Sequence, residues 1–348
     1  MTLLSSSDDD IALAAKALSG GSLVAFPTET VYGLGGDAFN VTALAGIFKA
    51  KNRPFFDPLI IHVAAIDALD RIVLWDALEK SARKKFDLLT NKFWPGPLTL
   101  ILPGNPLVPG LVNAGLSSVA VRFPSNVIAQ KLIRLSTGAV AAPSANPFGC
   151  LSPTRAEHVI SQLGDKVDFI IDGGRTDVGL ESTVLDITCE PCELLRPGGI
   201  SRGQIEELTG PVKFRPHSED APVSSPGRLK SHYAPRTPLS LHSGDELISM
   251  PMLPGEGRLF FSAPPCALTG CGAGNGFTGG GVISGVTGSG ARIKILSAKG
   301  DAIEAAANFF DMLHDLDKLG LSVIRAEEAP PDGLGAAIND RLRRASAR

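Results

Sequence analysis

The sequence predicts an α/β protein with a large domain around one twisted sheet and a smaller α/β domain after it. Two observations support this prediction. From Ile11 to about Val212, stretches of helical periodicity alternate with short apolar runs, a pattern typical of layered helices and strands. After a proline-rich interval, the same alternation returns from Leu239 onward. The 348 residues are enough for two domains, each with its own core.

The larger domain is predicted to contain eight strands and about six helices. Short apolar runs predict strands at Ser22–Phe26, Leu59–Val63, Leu98–Leu102, Val119–Arg122, Ala139–Ala142, Phe169–Asp172, Thr183–Asp186 and Cys192–Arg196. Helical periodicity predicts helices at Ile11–Leu18, Val41–Ala50, Leu78–Phe93, Val127–Leu135 and Arg155–Leu163. A further helix is expected after Ser201, because Ser201 and Gln204 have the spacing of a capping box.

The interval from Lys213 to Pro238 is predicted to be an extended linker, because it contains five prolines and little apolar periodicity. One of the two tyrosines in the chain, Tyr233, lies within it. The smaller domain is expected to have strands at Arg258–Phe261, Ile293–Leu296 and Ser322–Ala326, helices at Asp301–Leu319 and Ala336–Ala345, and a mobile glycine-rich loop over Gly270–Gly290.

Composition excludes several classes of protein. Hydrophobic residues make up 44% of the chain, which excludes a disordered protein, and the net charge of −3 does not favour general binding to nucleic acid. The N-terminus is acidic and lacks the pattern of a signal peptide, and the longest uncharged run is too rich in glycine to span a bilayer. The five cysteines include one C-x-x-C pair without a second pair at zinc-ribbon spacing. We therefore expect a cytoplasmic protein with reduced thiols.

The segment Phe26–Ala38 is the first candidate for a binding site. It follows a predicted strand and combines two threonine hydroxyls with Glu29, Tyr32 and three glycines. Ligands of α/β proteins commonly bind where strands end, and glycines allow a ligand to approach the backbone. The spacing matches neither common phosphate-binding glycine motif, so an ordinary glycine-rich turn is the alternative.

Charged side chains in or beside apolar segments are the second set of candidates. Lys49, Lys51 and Arg53 could surround a polyphosphate, or they could form a solvated basic helix end. His62 could hold a small polar substrate, or it could be a buried histidine with its ring satisfied. Arg122 lies in an apolar strand, and a buried arginine requires a carboxylate or phosphate partner.

Hydroxyl and amide groups after later strands complete the candidate site. Ser144, Ser152, Ser182 and Arg196 could each contact oxygens of a nucleotide or substrate, although each could also be an ordinary turn or cap residue. The sequence contains no metal-binding motif. Together the candidates predict a cleft for an anion and a nucleotide, with walls rich in hydroxyl groups.

Eight motifs, in order, resemble those of the YrdC-like family: PTETVYGLG, KNRP, PLIIHV, FWPGPLTLIL, VAVRFP, APSAN, STVLD and LRPGG. The segments SPGRLKSHYAP and LGAAINDRLRRA are similar to the longer, two-domain threonylcarbamoyl-AMP synthases of that family. The resemblance extends from about Ile11 to Ala345. It implies a YrdC-like twisted open α/β sheet domain at 1–212, a linker or lid at 213–238, and a small Rossmann-like α/β domain at 239–348.

The resemblance also implies a reaction. L-Threonine, bicarbonate and ATP, with Mg²⁺, would give threonylcarbamoyl-AMP and pyrophosphate, the first step of tRNA threonylcarbamoyladenosine modification. The product would pass to a tRNA threonylcarbamoyl transferase complex. No membrane partner is expected, and direct binding to tRNA is expected to be weak or absent.

The family's site residues match individual positions of this chain. Those expected to bind L-threonine are Thr30, His62, Arg122 (through the carboxylate), Ala142 and Ser182. Those expected to bind ATP are Lys51, Arg53, Asp57, Ser118, Ser144, Asn146, Ser152, Arg196 and Tyr233. Lys51, Arg53 and Arg196 would act in catalysis by neutralising charge, and Tyr233 would close over the nucleotide. Asp57 departs from the asparagine that is common in the family, so it is expected to contact either ATP or the metal.

The same domain also occurs in proteins with two other functions. YrdC-like domains have been linked to binding of double-stranded RNA, but residues 1–212 carry 18 Lys and Arg against 22 Asp and Glu, a difference of −4. A maturation factor that forms a carbamoyl-adenylate shares the domain, but such factors carry acylphosphatase-like and zinc-finger segments that are missing from this sequence.

Overall fold

The structure is a computed structural model that describes residues 1–215, 233–264, 283–286 and 292–347. The chain divides into two compact units. The first comprises Met1–Phe148 and Ser152–Leu229, and the second comprises Gly149–Leu151 and Lys230–Arg348. Each unit is built around its own sheet with helices, which confirms the predicted α/β class.

The first unit contains a mixed sheet of eleven described strands: β1 (Thr2–Leu4), β2 (Val24–Phe26), β3 (Gly33–Asp37), β4 (Ile60–Val63), β5 (Leu98–Pro103), β6 (Ser118–Arg122), β7 (Ala139–Ala141), β8 (Phe169–Ile171), β9 (Thr183–Asp186), β10 (Glu193–Arg196) and β11 (Lys213–Phe214). Their order is β1-β8-β2-β3-β7-β4-β6-β5-β9-β10-β11. Strand β6 lies parallel to β4 and antiparallel to β5, and β5 lies parallel to β9.

The helices of this unit are α1 (Asp8–Ser19), α2 (Val41–Lys51), α3 (Lys80–Phe93), α4 (Gly110–Asn113), α5 (Val127–Leu135), α6 (Ala156–Leu163) and α7 (Arg202–Thr209). Short 3₁₀ helices lie at Asp67–Arg71, Trp75–Ala77 and Gly164–Lys166. Every predicted helix of this unit is present, and the capping box of Ser201 and Gln204 forms at the start of α7.

All eight predicted strands are present, but the sequence analysis missed β1, β3 and β11. Strand β3 consists largely of glycine, a residue with low strand propensity. Its glycines are needed for packing, because a Cβ on Gly35 would lie 2.7 Å from the ring of Phe26. Strand β11 corrects the start of the predicted linker, because Lys213 and Phe214 pair with β10.

The two faces of the sheet differ. On one face, residues such as Ile61, Leu100 and Val121 pack against the helices in the main core. On the other face, a small apolar cluster consists of Ile60, Ile101, Ala120, Val184 and Leu195. Because side chains alternate along a strand, His62, Thr99, Arg122 and Ser182 belong to the face of this small cluster. The sheet therefore places these polar candidates on one surface.

The second unit has a sheet of five described strands: β12 (Leu239–His242), β13 (Glu256–Phe260), β14 (Ile283–Val286), β15 (Arg292–Ile295) and β16 (Val323–Glu327). Their order is β12-β16-β13-β15-β14, and only β14 pairs antiparallel. Helices α8 (Gly244–Ser249), α9 (Ala302–Asp317) and α10 (Gly333–Ser346) accompany them. Strand β14 corrects the loop predicted at 270–290, the rest of which lies outside the described residues.

Three observations bear on the expected class of protein. Among the described helices, none is long and apolar enough to cross a membrane. Within the described ranges, no group of three or more His, Cys, Asp or Glu side chains is arranged to hold a metal ion. Cys150, Cys189 and Cys192 are free thiols, whereas Cys266 and Cys271 lie outside the described residues.

Candidate active site

Arg122 is the centre of the first group of candidate residues. It is 3% exposed and lies on β6, opposite His62 on β4 and Thr99 on β5. Its Nη1 donates a hydrogen bond to Thr30 Oγ1 (2.9 Å), and its Nε donates to the carbonyl oxygen of Gly96 (3.3 Å). Its Nη2 lies 2.7 Å from Glu29 Oε1. The structure thus brings Thr30, His62 and Arg122 together.

Glu29 supplies the carboxylate that a buried arginine requires, and the sequence analysis did not identify this pairing. Glu29 is 4% exposed, so the ion pair is buried from both sides. The signal in the sequence was the combination of two charged residues in apolar segments, Glu29 after β2 and Arg122 within β6. When buried, such residues must pair with each other or with a ligand. Because they are 93 positions apart in the sequence, the sequence alone does not show whether they pair.

The threonines beside Glu29 form a directed chain of hydrogen bonds. Thr28 donates its hydroxyl hydrogen to the carbonyl oxygen of Val31 (2.6 Å), and Thr28 Oγ1 lies 2.8 Å from Thr30 Oγ1. Since the only hydroxyl hydrogen of Thr28 is used, Thr30 must donate to Thr28. Thr30 also accepts from Arg122, which leaves its hydroxyl with acceptor capacity only. We refer to Thr28, Glu29, Thr30, His62 and Arg122 as the arginine pocket.

His62 is a neutral imidazole in this pocket. It is 3% exposed, and its Nδ1 lies 3.2 Å from the carbonyl oxygen of Ile60, which can only accept a hydrogen bond. Burial, with a smaller contribution from the charge of Arg122, lowers the pKa of His62 from 6.5 to about 3. If Nδ1 carries the hydrogen, Nε2 is an acceptor for a substrate hydroxyl or amine.

The lowered pKa of His62 predicts a pH dependence of stability. Between pH 6.5 and about 3, the unfolded chain binds a proton that the folded chain does not, so the free energy of unfolding decreases as the pH falls. From pH 7 to about pH 5.5, this residue alone should remove about 1 kcal/mol. Denaturant unfolding of the wild type and of His62→Gln at both pH values measures the difference, because other titrating groups contribute to both proteins. Equal pH dependence in the two proteins would contradict the prediction.

The second group of candidate residues contains three cations, Lys51, Arg53 and Arg196. Lys51 ends α2, is 1% exposed, and donates from Nζ to the carbonyl oxygens of Ser144 and Asn146. Asn52 adopts a left-handed conformation (φ 52°) and turns the chain after the helix. Arg53 then donates to the carbonyl oxygens of Asp57 (3.1 Å) and Pro58 (2.7 Å). The cations of the KNRP motif are therefore held by the backbone of the site.

Asp57 lies where the charges of the three cations converge. It is fully buried, and its Oδ2 lies 2.8 Å from Arg53 Nη2. Burial raises the pKa of Asp57, while the charges of Arg53, Lys51 and Arg196 act to lower it. The structure therefore brings together the three residues predicted to neutralise charge, and it places a carboxylate among them. We refer to Lys51, Arg53, Asp57 and Arg196 as the cation cluster. Lys49, in contrast, is exposed and fits the alternative of a solvated helix end.

Ser182 connects the cation cluster to the arginine pocket. Arg196, 4% exposed at the end of β10, donates from Nη2 to Ser182 Oγ (3.1 Å) and from Nε to the carbonyl oxygen of Ser182 (3.1 Å). Ser182 Oγ also lies 2.8 Å from Thr99 Oγ1, and Thr99 is the neighbour of Arg122 across β5 and β6. Thr99 is a buried polar residue of the site that the sequence analysis missed.

The position of Ser182 depends on Gly198. A Cβ at position 198 would lie closer than 3.0 Å to backbone atoms of Glu181, Ser182 and Thr183. We expect Gly198→Ala to displace Ser182 and to lower catalytic efficiency about 100-fold, the order of effect of a displacement of about 1 Å in a catalytic site. Steady-state kinetics with each substrate varied would measure it.

Gly203→Ala is the matched control for Gly198→Ala. Nothing lies within 4 Å of a Cβ at position 203, which belongs to α7. Since alanine favours helix over glycine by about 1 kcal/mol, this variant should keep wild-type kinetics and melt at the same or a higher temperature. If Gly198→Ala behaved like Gly203→Ala, the positioning of Ser182 by Gly198 would be wrong.

The remaining predicted residues occupy different places. Ser144 is half-buried and forms an isolated antiparallel β-bridge with Gly33. Asn146 is buried, and its carbonyl oxygen accepts a hydrogen bond from Lys51. Ser152 is fully buried and donates to the carboxylate of Glu181. Ala142 uses its backbone N–H in a hydrogen bond to Ile60 (2.9 Å). These residues lie near the loop that follows β7, as their motifs suggested.

Ser118, Tyr233 and Tyr32 are three further candidate residues from the sequence. Ser118 begins β6 and lies about 13 Å along the strand from Arg122, so the two are at opposite ends of it. Tyr233 belongs to the second unit, where its ring lies 5.8 Å from that of Phe310 and 5.4 Å from the guanidinium of Arg341. Its nucleotide contact stays a prediction.

Tyr32 is structural, because its hydroxyl donates to the carbonyl oxygen of Gly174 and accepts from the N–H of Gly173. Burial raises the pKa of Tyr32.

Family models match both units of the chain. A model named for Sua5, YciO and YrdC, with the description Telomere recombination, matches residues 16–198. A second model, described as the C-terminal domain of threonylcarbamoyl-AMP synthase, matches residues 200–347.

Similar proteins agree with the family models. A threonylcarbamoyl-AMP synthase of Pyrococcus abyssi is 40% identical over 350 residues, which cover 97% of this chain and 94% of the relative. A protein of the same name from Bacillus subtilis is 39% identical, with 99% and 94% covered. The crystal structure of P. abyssi Sua5 complexed with L-threonine matches with a TM-score of 0.83 at 36% identity, and covers 99% of this chain and 98% of that one.

Proposed function

Because the chain belongs to the Sua5/YciO/YrdC family and has its threonylcarbamoyl-AMP synthase C-terminal domain, we propose that it converts L-threonine, bicarbonate and ATP into threonylcarbamoyl-AMP and pyrophosphate. One observation of geometry supports this activity most. A buried arginine pocket suited to an amino acid is joined through Ser182 to a buried cluster of three cations suited to a polyphosphate.

The arginine pocket binds the amino acid. The guanidinium of Arg122 takes the carboxylate of L-threonine, for which its planar set of donors is suited. The acceptors on Thr30 and on neutral His62 are available to the hydroxyl of L-threonine. Ser182, bound to both Thr99 and Arg196, borders the pocket on the side of the cations. This set of groups favours a substrate that carries a carboxylate and a hydroxyl close together.

The cation cluster binds the phosphates of ATP. Lys51, Arg53 and Arg196 carry three positive charges, and the carboxylate of Asp57 lies among them. The nitrogen of L-threonine joins bicarbonate or CO₂, and the resulting carbamate attacks the α-phosphate so that pyrophosphate leaves. The three cations stabilise the negative charge that accumulates on the phosphate oxygens in this step. No covalent intermediate with the protein is required.

We also propose that Mg²⁺ arrives with ATP. Asp57 fits such an ion, because neither of its carboxylate oxygens accepts a hydrogen bond from the described residues and Mg²⁺ commonly binds through one carboxylate plus substrate phosphates. The ion would supply further neutralisation of phosphate charge. We further propose that the reaction takes place in the cytoplasm and that a separate tRNA threonylcarbamoyl transferase complex receives the product.

The test is pyrophosphate release from ATP and Mg²⁺, with L-threonine and bicarbonate omitted in turn. Release that requires both substrates supports the proposal. Release with neither would identify an ATP pyrophosphohydrolase and would contradict the roles of His62 and Arg122. If folded protein released no pyrophosphate under any condition, the RNA-binding alternative would be favoured, and salt-dependent binding to double-stranded RNA would be measured next.

A further inference from the structure

Glu29 is a buried carboxylate with unused acceptor capacity. It is 4% exposed, and neither of its carboxylate oxygens accepts a hydrogen bond from the described residues. Its Oε1 lies 2.7 Å from Arg122 Nη2, so the two charges are in contact without a directed hydrogen bond. Buried carboxylates normally accept hydrogen bonds, because an unsatisfied one loses its solvation without compensation. Such a group in a substrate pocket indicates a missing donor.

The neighbouring side chains cannot supply that donor. The hydroxyl hydrogen of Thr28 goes to Val31, and that of Thr30 goes to Thr28. The backbone of Glu29 is held in place, because its carbonyl oxygen accepts from the N–H of Val178 (2.8 Å). The carboxylate is therefore fixed beside Arg122, with acceptors that the described part of the chain does not fill.

The geometry of an α-amino acid supplies a donor at this point. Its ammonium and carboxylate are attached to the same carbon, so a ligand whose carboxylate meets Arg122 places its ammonium among the groups that border Arg122. Glu29 and Thr30 are two of these groups, and both have acceptor capacity. We propose that Glu29 binds the ammonium group of L-threonine and accepts its proton when the carbamate forms. This inference rests on the proposed function and assigns a further residue to it.

The other titratable groups of the site are poorly suited to take this proton. His62 borders the same pocket, but its acceptor nitrogen is the group assigned above to the hydroxyl of L-threonine. Asp57 lies among the residues of the cation cluster and not in the arginine pocket. Within the arginine pocket, Glu29 is the one carboxylate.

The step is balanced with bicarbonate as the co-reactant. The ammonium of L-threonine has three hydrogens. One is transferred to Glu29, and the freed electron pair of nitrogen forms the N–C bond to the bicarbonate carbon. A second hydrogen goes to the bicarbonate hydroxyl, which leaves as water when its C–O bond breaks. The third remains on the carbamate nitrogen, and the proton on Glu29 returns to solvent after the product leaves.

Ligand discrimination tests the ammonium contact. The probes are L-threonine and (2S,3R)-2,3-dihydroxybutanoate, which has a hydroxyl in place of the ammonium, and their binding is measured by titration calorimetry without ATP. We expect the wild type to prefer L-threonine by at least about tenfold, the ratio that 1.4 kcal/mol produces. Glu29→Gln should lose most of this preference while it still binds the dihydroxy acid, and Glu29→Asp should recover part of it. If Glu29→Gln kept the wild-type preference, the ammonium contact would be wrong.

Turnover at saturating substrates tests the proton transfer. Loss of a general base typically lowers the rate about 10²- to 10⁴-fold, so kcat of Glu29→Gln should fall by this order even when L-threonine is saturating. Glu29→Asp, which retains a carboxylate, should recover part of kcat. A Glu29→Gln protein with raised KM and unchanged kcat would overturn the proton transfer.

Two controls separate these outcomes from trivial causes. Glu157→Gln removes the same charge from an exposed position of α6 and should change neither binding nor turnover. If Glu29→Gln does not fold because Arg122 loses its counter-charge, Glu29→Asp alone still tests both roles through the loss of preference and of kcat. If the wild type fails the substrate-omission assay, the proposed function fails, whereas the comparison of the two ligands still decides whether Glu29 binds an ammonium group.

Discussion

Arg122→Ala is expected to abolish most use of L-threonine while ATP binding persists. Arg122 is the only described cation of the arginine pocket, and removal of one partner from a buried charge pair typically costs about 2–5 kcal/mol. The efficiency with L-threonine should therefore fall about 30- to 4000-fold. Pyrophosphate release at varied L-threonine and saturating ATP measures the loss, and nucleotide binding by calorimetry should stay within about twofold of the wild type.

Stability must be followed in the same experiment. Arg122→Ala leaves Glu29 buried without its counter-charge, which costs about 3–5 kcal/mol when one partner of a buried pair is removed. The double variant Glu29→Gln/Arg122→Ala removes both charges and should melt at a higher temperature than Arg122→Ala. Arg134→Ala, at an exposed position of α5, is the control for loss of an arginine. A folded Arg122→Ala protein with wild-type dependence on L-threonine would contradict the assignment.

Arg53→Ala should have the complementary effect on ATP. Arg53 is the cation in direct contact with Asp57, and without it the carboxylate would face the phosphates with less compensation. A lost charge-assisted contact of about 1.5–3 kcal/mol corresponds to a rise in KM for ATP of about 10- to 150-fold. Measurement at saturating L-threonine isolates this effect.

Lys49→Ala is the matched control for Arg53→Ala. Lys49 belongs to the same run of basic residues in the sequence, yet it is exposed, whereas Lys51 and Arg53 are buried. We expect wild-type KM for ATP in Lys49→Ala. If Lys49→Ala weakened ATP use as much as Arg53→Ala, the phosphates would bind at the helix surface and the buried cation cluster would not be their site.

Local patterns were sufficient for most of the secondary structure. The apolar runs and helical periods predicted eight strands of the first unit and its principal helices, because the pattern of burial along one element repeats every two or 3.6 residues. Strand β3 was not predicted, because its packing against Phe26 requires glycine at position 35 and glycine has a low propensity for strands. Strand β11 was not predicted, because its two residues are too few to show the alternation of apolar and polar residues.

For the candidate site, too, some features were visible in the sequence and others were not. The types of residue were visible in the sequence, since lysine, arginine and histidine interrupt apolar segments at 51, 53, 62, 122 and 196. The resemblance to the YrdC-like family assigned substrates to them. The partners were not visible in the sequence. Ser182 meets Thr99 through the pairing of β5 with β9, and Glu29, in the segment after β2, meets Arg122 of β6 from 93 positions away.

The sequence alone therefore determined the α/β class, the order of the predicted elements and the family, and it indicated the charged residues proposed for the site. The tertiary structure decided which of these charges neutralise each other, that the pKa of His62 is lowered, and that three cations from separate segments converge on Asp57. The physical reason is that periodicity is a property of neighbouring residues, whereas burial of a charge and its pairing depend on strands and loops brought together from opposite parts of the chain.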